Sequence, residues 1–340
     1  MSTNNLKLVA VQVVFRHGHR TPLKTYPKDP HREIIFQQNK PGQLTNKGKQ
    51  CTYELGKWLR NNYDNLLPKT YSPDDLKVIS NDVDRCLMSA QCVLAGLYPP
   101  VGDDVWNKDL NWQPIPIHTD KPLLDPIPES FKRMAKRVAR SFFKDILAAK
   151  YVDVLSQLNE ENVGAKIDFI EAFMIRDTLF IESSLGLQLP EWAKQIYPEP
   201  LDSYSADLIS IPSCNKVLSK ASIGALLNEI INNFQHENKK MIMYSAHDYT
   251  IAALVLALNP QFPKFIPEYG STVVLELWED ETKQMFVKML LKRNNNVDTV
   301  TLNQKQILEF YSFKESITHL CITTEERTAM LNAELTEFAS

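Results

Sequence analysis

Two kinds of hydrophobic pattern alternate along the first hundred residues of the chain. Residues 6–15 are almost continuously apolar and rich in Val and Leu, which is typical of a strand buried on both faces. Thr45 then opens a helix whose apolar residues share one face, and residues 77–80 predict a short strand. A second helix follows and ends at Tyr98-Pro99-Pro100. Successive strand–loop–helix units predict a wound α/β domain.

This alternation breaks near residue 106 and returns after residue 215. Prolines concentrated between residues 112 and 128 predict a loop, and the following segments have the apolar spacing of helices. Later, residues 272–279 and 284–291 predict a hairpin. The predicted organisation is an α/β core over 1–105 and 216–320, a mainly helical insertion over 106–215, and a polar, loosely held C-terminal tail over 321–340.

The composition is that of an ordinary globular protein. Of 340 residues, 44% are hydrophobic and 23% are charged, and the formal net charge is −3. This balance argues against nucleic acid as the main partner, so any anion-binding site must come from a local cluster. The longest clean apolar run, residues 251–258, is much shorter than the roughly 20 residues of a membrane-spanning helix. We therefore expect no membrane span.

The cysteines and the glycosylation signals bear on the compartment. The chain has five cysteines, an odd number without zinc-ligand spacing, and it contains no Asn-X-Ser/Thr acceptor. The apolar N-terminal stretch is followed directly by Arg16 and lacks the cleavage site of a secretory signal. We predict a cytoplasmic protein; the alternative is a secreted or lysosomal protein if a signal peptide is missing from this sequence.

Polar residues gather where the predicted strands end. Arg16-His17-Gly18-His19-Arg20-Thr21-Pro22 follows the first strand, and Ser245-Ala246-His247-Asp248 follows a strand over 241–244. Arg85 comes shortly after residues 77–80. Because ligands of wound α/β sheets bind at the carboxyl ends of strands, we expect these loops to meet at one edge. The side chains delivered there are Arg16, His17, His19, Arg20, Arg85, His247 and Asp248.

Three arginines at one edge call for a multivalent anion, because planar guanidinium groups match phosphate oxygens. Gly18 allows a close backbone approach. An imidazole that the arginines keep neutral can attack phosphorus, and the departing alkoxide then needs a proton. Asp248 is the only carboxylate in the two motifs, and a bound phosphate would raise its pKa, so Asp248 is the natural donor. The cluster predicts phosphoryl transfer through a phosphohistidine.

Each part of this cluster also has an ordinary structural explanation. A single Arg-His-Gly tripeptide is commonly a solvated loop, and a single His-Asp pair is commonly a core or surface hydrogen bond. Arg85 could form an ion pair on its own helix with Asp82 or Asp84. Spacing alone leaves these alternatives open beside the joint site.

The motifs resemble those of the histidine acid phosphatases, which form a branch (clade 2) of the histidine phosphatase superfamily. Arg16-His17-Gly18-X-Arg20-X-Pro22 is similar to the RHGxRxP signature, and Ser245-Ala246-His247-Asp248 is similar to the distal His-Asp motif. Residues 42–45, 82–90 and 112–119 also resemble the prostatic and lysosomal acid phosphatases of animals.

The resemblance implies an acid phosphatase that hydrolyses phosphate monoesters without a metal or another cofactor. It implies that His17 is the nucleophile and that Asp248 protonates the leaving group. The implied phosphate-binding residues are Arg16, Arg20, Arg85 and His247. The implied fold is a wound mixed sheet flanked by helices, similar to that of phosphoglycerate mutase, with a smaller inserted helical domain over the active-site edge. Relatives are often homodimers.

The chain also departs from the family pattern. His19 stands where mammalian members commonly carry Asp, which predicts an altered pH dependence, and several of their disulfide cysteines have no counterpart here. Two alternatives remain for the function. One is a phosphatase of narrower specificity, for a lysophosphatidate or an inositol phosphate. The other is a protein that binds phosphorylated ligands without turnover, although all six implied site residues are present.

Overall fold

A mixed β-sheet forms the centre of the protein, whose computed structural model describes residues 6–37, 40–124, 150–161 and 167–336. Within these residues the sheet has eight strands: β1 (Lys7–Arg16), β2 (Leu76–Ser80), β3 (His118–Thr119), β4 (Met241–Ala246), β5 (Thr272–Glu279), β6 (Met285–Arg293), β7 (Asn296–Val300) and β8 (Leu308–Glu309). The spatial order is β3-β2-β4-β1-β5-β6-β7, and β8 pairs with β6. The first four strands in that order are parallel, and the remaining pairings are antiparallel. This mixed sheet confirms the predicted fold class.

Helices cover both faces of the sheet. The helices of the described residues are α1 (Arg32–Phe36), α2 (Asn46–Asn62), α3 (Asp84–Leu97), α4 (Lys121–Leu124), α5 (Val152–Glu161), α6 (Phe169–Ser184), α7 (Leu201–Ile209), α8 (Lys216–His236), α9 (Asp248–Leu258), α10 (Phe310–Ile317) and α11 (Thr324–Thr336). Helices α2 and α3 share one apolar cluster with the sheet, and α8 and α9 share another. None of the described helices is long and apolar enough to cross a membrane.

Strand β1 is apolar almost throughout because it lies between these two clusters. Val11, Val13 and Phe15 pack towards α2 and α3, whereas Val14 packs towards α8 and α9. Gln12 is the polar exception, and its side-chain amide donates to the carbonyl of Ile230 at 2.8 Å. The buried polar group is therefore paired, as burial requires.

The helices between residues 150 and 209 have an apolar cluster of their own. It includes Tyr151, Leu158, Leu179 and Tyr204, all fully or almost fully buried. Residues 125–149 and 162–166 of the predicted helical insertion lie outside the described residues. The division into a core and an insertion therefore stays a prediction.

The C-terminal segment is held more firmly than the sequence indicated. Instead of a loose tail, the described part forms α11, in which Arg327 and Leu331 are each only 4% exposed. The guanidinium of Arg327 donates to the carbonyl of Ala221 on α8 at 2.6 Å. Ile322 is buried just before the helix. Because the segment is mostly polar, its composition does not indicate that these few residues are buried.

Candidate active site

The first motif continues directly from the end of β1 in the middle of the sheet. Because β1 and β4 are parallel neighbours, Arg16 lies opposite Ala246, and the amide of His17 donates to the Ala246 carbonyl at 3.0 Å. His247 and Asp248 follow at once, at the N-terminus of α9. The register of two adjacent strands therefore brings both motifs to one edge.

Two glycines let the motif loop pass against helix α2. A Cβ atom on Gly18 would lie 2.3 Å from the carbonyl oxygen of Gly48, and one on Gly48 would lie 2.1 Å from the carbonyl oxygen of His19. Neither position can take a side chain without movement of backbone. The Gly18 amide also donates to Ser89 Oγ on α3 at 3.0 Å. The close approach that Gly18 permits is thus to the backbone of α2.

The ring of His17 is held in one orientation. Its Nδ1 lies 2.9 Å from the carbonyl oxygen of Gly18, which can only accept, so Nδ1 carries the proton. Its Nε2 accepts from Nε of Arg85 at 3.1 Å. The lone pair of Nε2 therefore points towards the arginines. Burial, followed by the charge of Arg16, lowers the pKa of His17 well below its usual value, which favours the neutral ring.

Arg16 joins the two motifs. One of its terminal nitrogens forms an ion pair with Asp248 Oδ2 at 2.7 Å, and the other donates to the carbonyl of Pro267 at 2.5 Å. The guanidinium carbon lies 4.0 Å from the centre of the Tyr269 ring, a cation–π distance. Three contacts from two segments, the start of α9 and the loop before β5, thus fix this buried arginine.

Two opposing effects act on the pKa of Asp248. Burial alone raises the pKa of its carboxyl, but Arg16, His247 and Arg20 outweigh burial and leave the pKa below its ordinary value. The carboxylate also accepts from the amide of Tyr249 at 2.8 Å at the start of α9, where the helix dipole favours negative charge. Asp248 is therefore ionised while it pairs with Arg16.

Arg85 and His247 complete the predicted set. Arg85 bonds to His17 from the first turn of α3, and Asp84 accepts from Gln43 instead, so the alternative ion pair with Asp82 or Asp84 does not form within the described residues. The rings of His17 and His247 lie edge to face, with their centres 5.4 Å apart. Burial and then Arg85 lower the pKa of His247 to about 3, so this ring is also neutral.

Arg20 reveals two residues that the sequence analysis missed. Its Nη1 forms an ion pair with Asp177 Oδ2 on α6 at 2.9 Å, and the hydroxyl of Tyr269 donates to Asp177 Oδ1 at 3.4 Å. The only sequence signal for Asp177 is the Arg176-Asp177 pair inside an apolar helix. No pattern marks Tyr269, which lies in the loop before β5.

His19 lies beside the cluster and braces its loop. Its ring Nδ1 is 2.8 Å from Thr45 Oγ1, the N-cap of α2, and its Nε2 is 2.8 Å from Ser184 Oγ at the end of α6. Burial, followed by the charge of Lys47, lowers the pKa of His19 to about 4. His19 thus connects the loop to two helices.

The arginines keep two donors free for a ligand. Nε of Arg16 and Nε of Arg20 are buried and have no hydrogen-bond partner among the described residues. A phosphate oxygen near both would satisfy them, and buried donors without partners are costly. Among the residues that the structure describes, no three His, Cys, Asp or Glu side chains are grouped so as to hold a metal ion.

The geometry agrees with a comparison of the sequence with protein families. A family model described as the histidine phosphatase superfamily (branch 2) matches residues 7–125 and 208–292. The chain belongs to this family. The match spans both motifs and confirms the resemblance seen in the sequence.

Relatives and solved structures agree with this membership. The chain is 36% identical over 297 residues to prostatic acid phosphatase of Mus musculus, covering 81% of this chain and 76% of the relative. It is 33% identical over 306 residues to lysosomal acid phosphatase of Rattus norvegicus, covering 84% and 70%. The Hafnia alvei phytase in complex with myo-inositol hexakis sulphate has a TM-score of 0.72 at 17% identity, covering 96% of this chain and 100% of the phytase. That last likeness shows the shared fold.

Proposed function

We propose that this branch 2 histidine phosphatase is a metal-independent acid phosphatase that hydrolyses phosphate monoesters through a phosphohistidine on His17. One observation carries the proposal. The Gly18 carbonyl holds the proton on Nδ1 of His17, so that the lone pair of Nε2 faces Arg85 among three arginines. A neutral nucleophile inside an anion-binding cluster fits attack on phosphorus.

The reaction follows from the contacts. The ester phosphate binds to Arg16, Arg20, Arg85 and His247. Nε2 of His17 then forms a bond to phosphorus as the P–O bond to the alcohol breaks, and Asp248 gives its proton to the departing oxygen. In the second step a water molecule attacks phosphorus, the N–P bond breaks, and the proton of the water returns to Asp248. Inorganic phosphate leaves and His17 is restored.

The acid preference follows from Asp248. Its ion pair with Arg16, at 2.7 Å, favours the ionised carboxylate. A phosphate that takes over Arg16 removes this stabilisation and adds negative charge beside the carboxyl, which raises its pKa. Acid completes the protonation, while the lowered pKa of His17 keeps the nucleophile neutral. Because this pKa belongs to the substrate complex, we expect kcat to fall from acid to neutral pH.

The test is hydrolysis of p-nitrophenyl phosphate from acid to neutral pH with excess EDTA. Wild type should be active, His17→Ala should lose activity by a factor of about 10⁴ or more, and His236→Ala, which changes an exposed histidine, should match wild type. Activity that disappears with EDTA would contradict metal independence. Full activity in His17→Ala would refute the nucleophile.

A narrower specificity for multiply phosphorylated substrates is the second candidate. A cavity of about 360 Å³ has Lys24, Lys28 and Arg32 in its wall, together with Asp29 and with Glu171, which pairs with Lys24 at 2.6 Å. Cations there suit a second phosphate group on the same substrate. A panel that includes inositol hexakisphosphate and simple monoesters separates the candidates, because Lys24→Ala should raise KM only for the multiply phosphorylated ester.

We also propose homodimer formation and a reducing compartment. Trp106 is 58% exposed and lies edge to face with Trp112, and Val101, Val105 and Leu110 of the same loop are exposed apolar residues, as interface residues often are. Light scattering should show a dimer that Trp106→Lys converts to a monomer, and a monomeric wild type would refute the proposed dimer.

All five cysteines are free thiols, which supports a cytoplasmic location. Cell fractionation tests that location.

A further inference from the structure

A carboxylate from helix α6 lies beside the arginine cluster without touching the proposed reacting groups. Asp177 is only 5% exposed, and both of its oxygens are engaged. Oδ2 accepts from Nη1 of Arg20 at 2.9 Å, and Oδ1 accepts from the hydroxyl of Tyr269 at 3.4 Å. Asp177 therefore holds one arginine directly.

Asp177 also reaches a second arginine through Tyr269. The Tyr269 ring lies under the Arg16 guanidinium, 4.0 Å from its carbon, and its centre is 5.8 Å from that of the His17 ring. Because the hydroxyl of Tyr269 is hydrogen-bonded, the ring has a fixed orientation for its cation–π contact with Arg16. One carboxylate thus contacts Arg20 directly and Arg16 through the Tyr269 ring.

We propose that Asp177 is a positioning residue for phosphate binding, which fixes the Arg20 guanidinium and the Tyr269 ring that supports Arg16. The inference rests on the proposed function, because it assigns the geometry of the same anion site. It makes helix α6 a contributor to that site.

The sign of the effect distinguishes positioning from simple charge balance. A buried carboxylate near the arginines repels a phosphate, so a carboxylate that acted only as a counter-charge would weaken phosphate binding. Removing such a charge would tighten binding. A carboxylate that positions the arginines has the opposite effect, because without it the two guanidinium groups lose their fixed directions and bind phosphate more weakly.

The same helix provides a matched control. The neighbouring Arg176 forms an ion pair with Asp202 at 2.7 Å, and Arg176 is buried almost as deeply as Arg20. This pair joins α6 to α7, and among the described residues neither its hydrogen bond nor its ion pair reaches the motif residues. Asp202→Ala should lower the Tm without changing the affinity for phosphate.

The experiment measures inorganic phosphate binding by calorimetry, together with kcat and KM for p-nitrophenyl phosphate. Asp177→Ala should raise the Kd of phosphate and the KM about tenfold, with a smaller fall in kcat. Asp177→Asn should recover most of the affinity, because its amide oxygen still accepts from Arg20 and its N–H can donate to Tyr269. Tyr269→Phe, which keeps the ring, should raise Kd about threefold.

Each other outcome overturns the inference. If Asp177→Ala binds phosphate as tightly as wild type, or more tightly, Asp177 is only a counter-charge. If Asp177→Ala does not fold, the Kd of phosphate in Asp177→Asn and Tyr269→Phe tests the inference instead. An unchanged Kd in Tyr269→Phe overturns the proposed support of Arg16. A wild type that binds phosphate but has no turnover would refute the proposed function alone, since the Kd series remains measurable.

Discussion

The sheet edge and helix α6 meet at the arginine cluster, and they contribute in different ways. The edge supplies groups that would touch phosphate, such as His17 and Asp248, and these groups leave the ends of adjacent parallel strands. Helix α6 supplies Asp177, Glu182 and Ser184, which contact Arg20, Tyr26 and His19 of the loop that follows β1. Substitutions at the edge should therefore change the chemistry, whereas substitutions on α6 should change binding, pH response and stability.

The largest effect is expected at the edge, for Asp248→Asn. An amide cannot donate a carboxylic proton, so poor leaving groups should lose kcat by about 10²–10⁴, while a good leaving group such as p-nitrophenolate should lose much less. The measurement is kcat across a series of aryl and alkyl phosphates. Equal losses across the series would show that Asp248 only balances the charge of Arg16, and would remove the distinction between the edge and α6.

The next effect tests how the edge holds its loop. In an exposed helix Gly→Ala is stabilising by about 1 kcal/mol, but Gly48→Ala should be destabilising by roughly 2 kcal/mol because its Cβ would meet the His19 carbonyl at 2.1 Å. Urea unfolding measures this, with the neighbouring Lys49→Ala as the control. A Gly48→Ala variant as stable as the control would show that the loop and α2 are not in fixed contact.

A smaller, pH-dependent effect is expected from Glu182 on α6. Its carboxyl accepts from the Tyr26 hydroxyl at 3.2 Å, and burial, followed by the charge of Asp29, raises its pKa to about 8. Because the pKa is raised in the folded state, this contribution to stability is complete below about pH 4.5 and is lost as the pH rises through about 8. Acid therefore favours this contact between α6 and the loop.

Glu182→Gln should remove that pH dependence, because its amide N–H can donate to Asp29 at every pH. Between pH 5 and pH 9 the Tm of wild type should fall by roughly 4 °C more than that of Glu182→Gln. Glu171→Gln is the control. Glu171 lies on the same helix, but its ion pair with Lys24 of the loop is at the surface. Parallel Tm curves for wild type and Glu182→Gln would mean that Glu182 does not titrate in this range.

The same contrast explains what could be predicted from the sequence. The apolar run of β1 and the polar residues after each strand follow local rules, so the shared edge could be predicted. Asp177 is 157 residues from Arg20, and their contact depends on how α6 packs, which no local pattern encodes. Likewise, the sequence places His19 within the first motif, but it does not show that Thr45 and Ser184 hold its ring.

The smallest effect is expected for Ser184→Ala, which removes one of the two hydrogen bonds of the His19 ring. One lost hydrogen bond in a partly buried place costs about 1 kcal/mol of folding stability. Since Ser184 contacts His19 and not the arginines, kcat and the Kd of phosphate should stay within about twofold of wild type. Thr45→Ala provides the comparison, because Thr45 caps α2 as well and should cost roughly 1 kcal/mol more. A tenfold loss of phosphate affinity in Ser184→Ala would show that the His19 ring positions the arginines too, and would extend the role of α6 beyond Asp177.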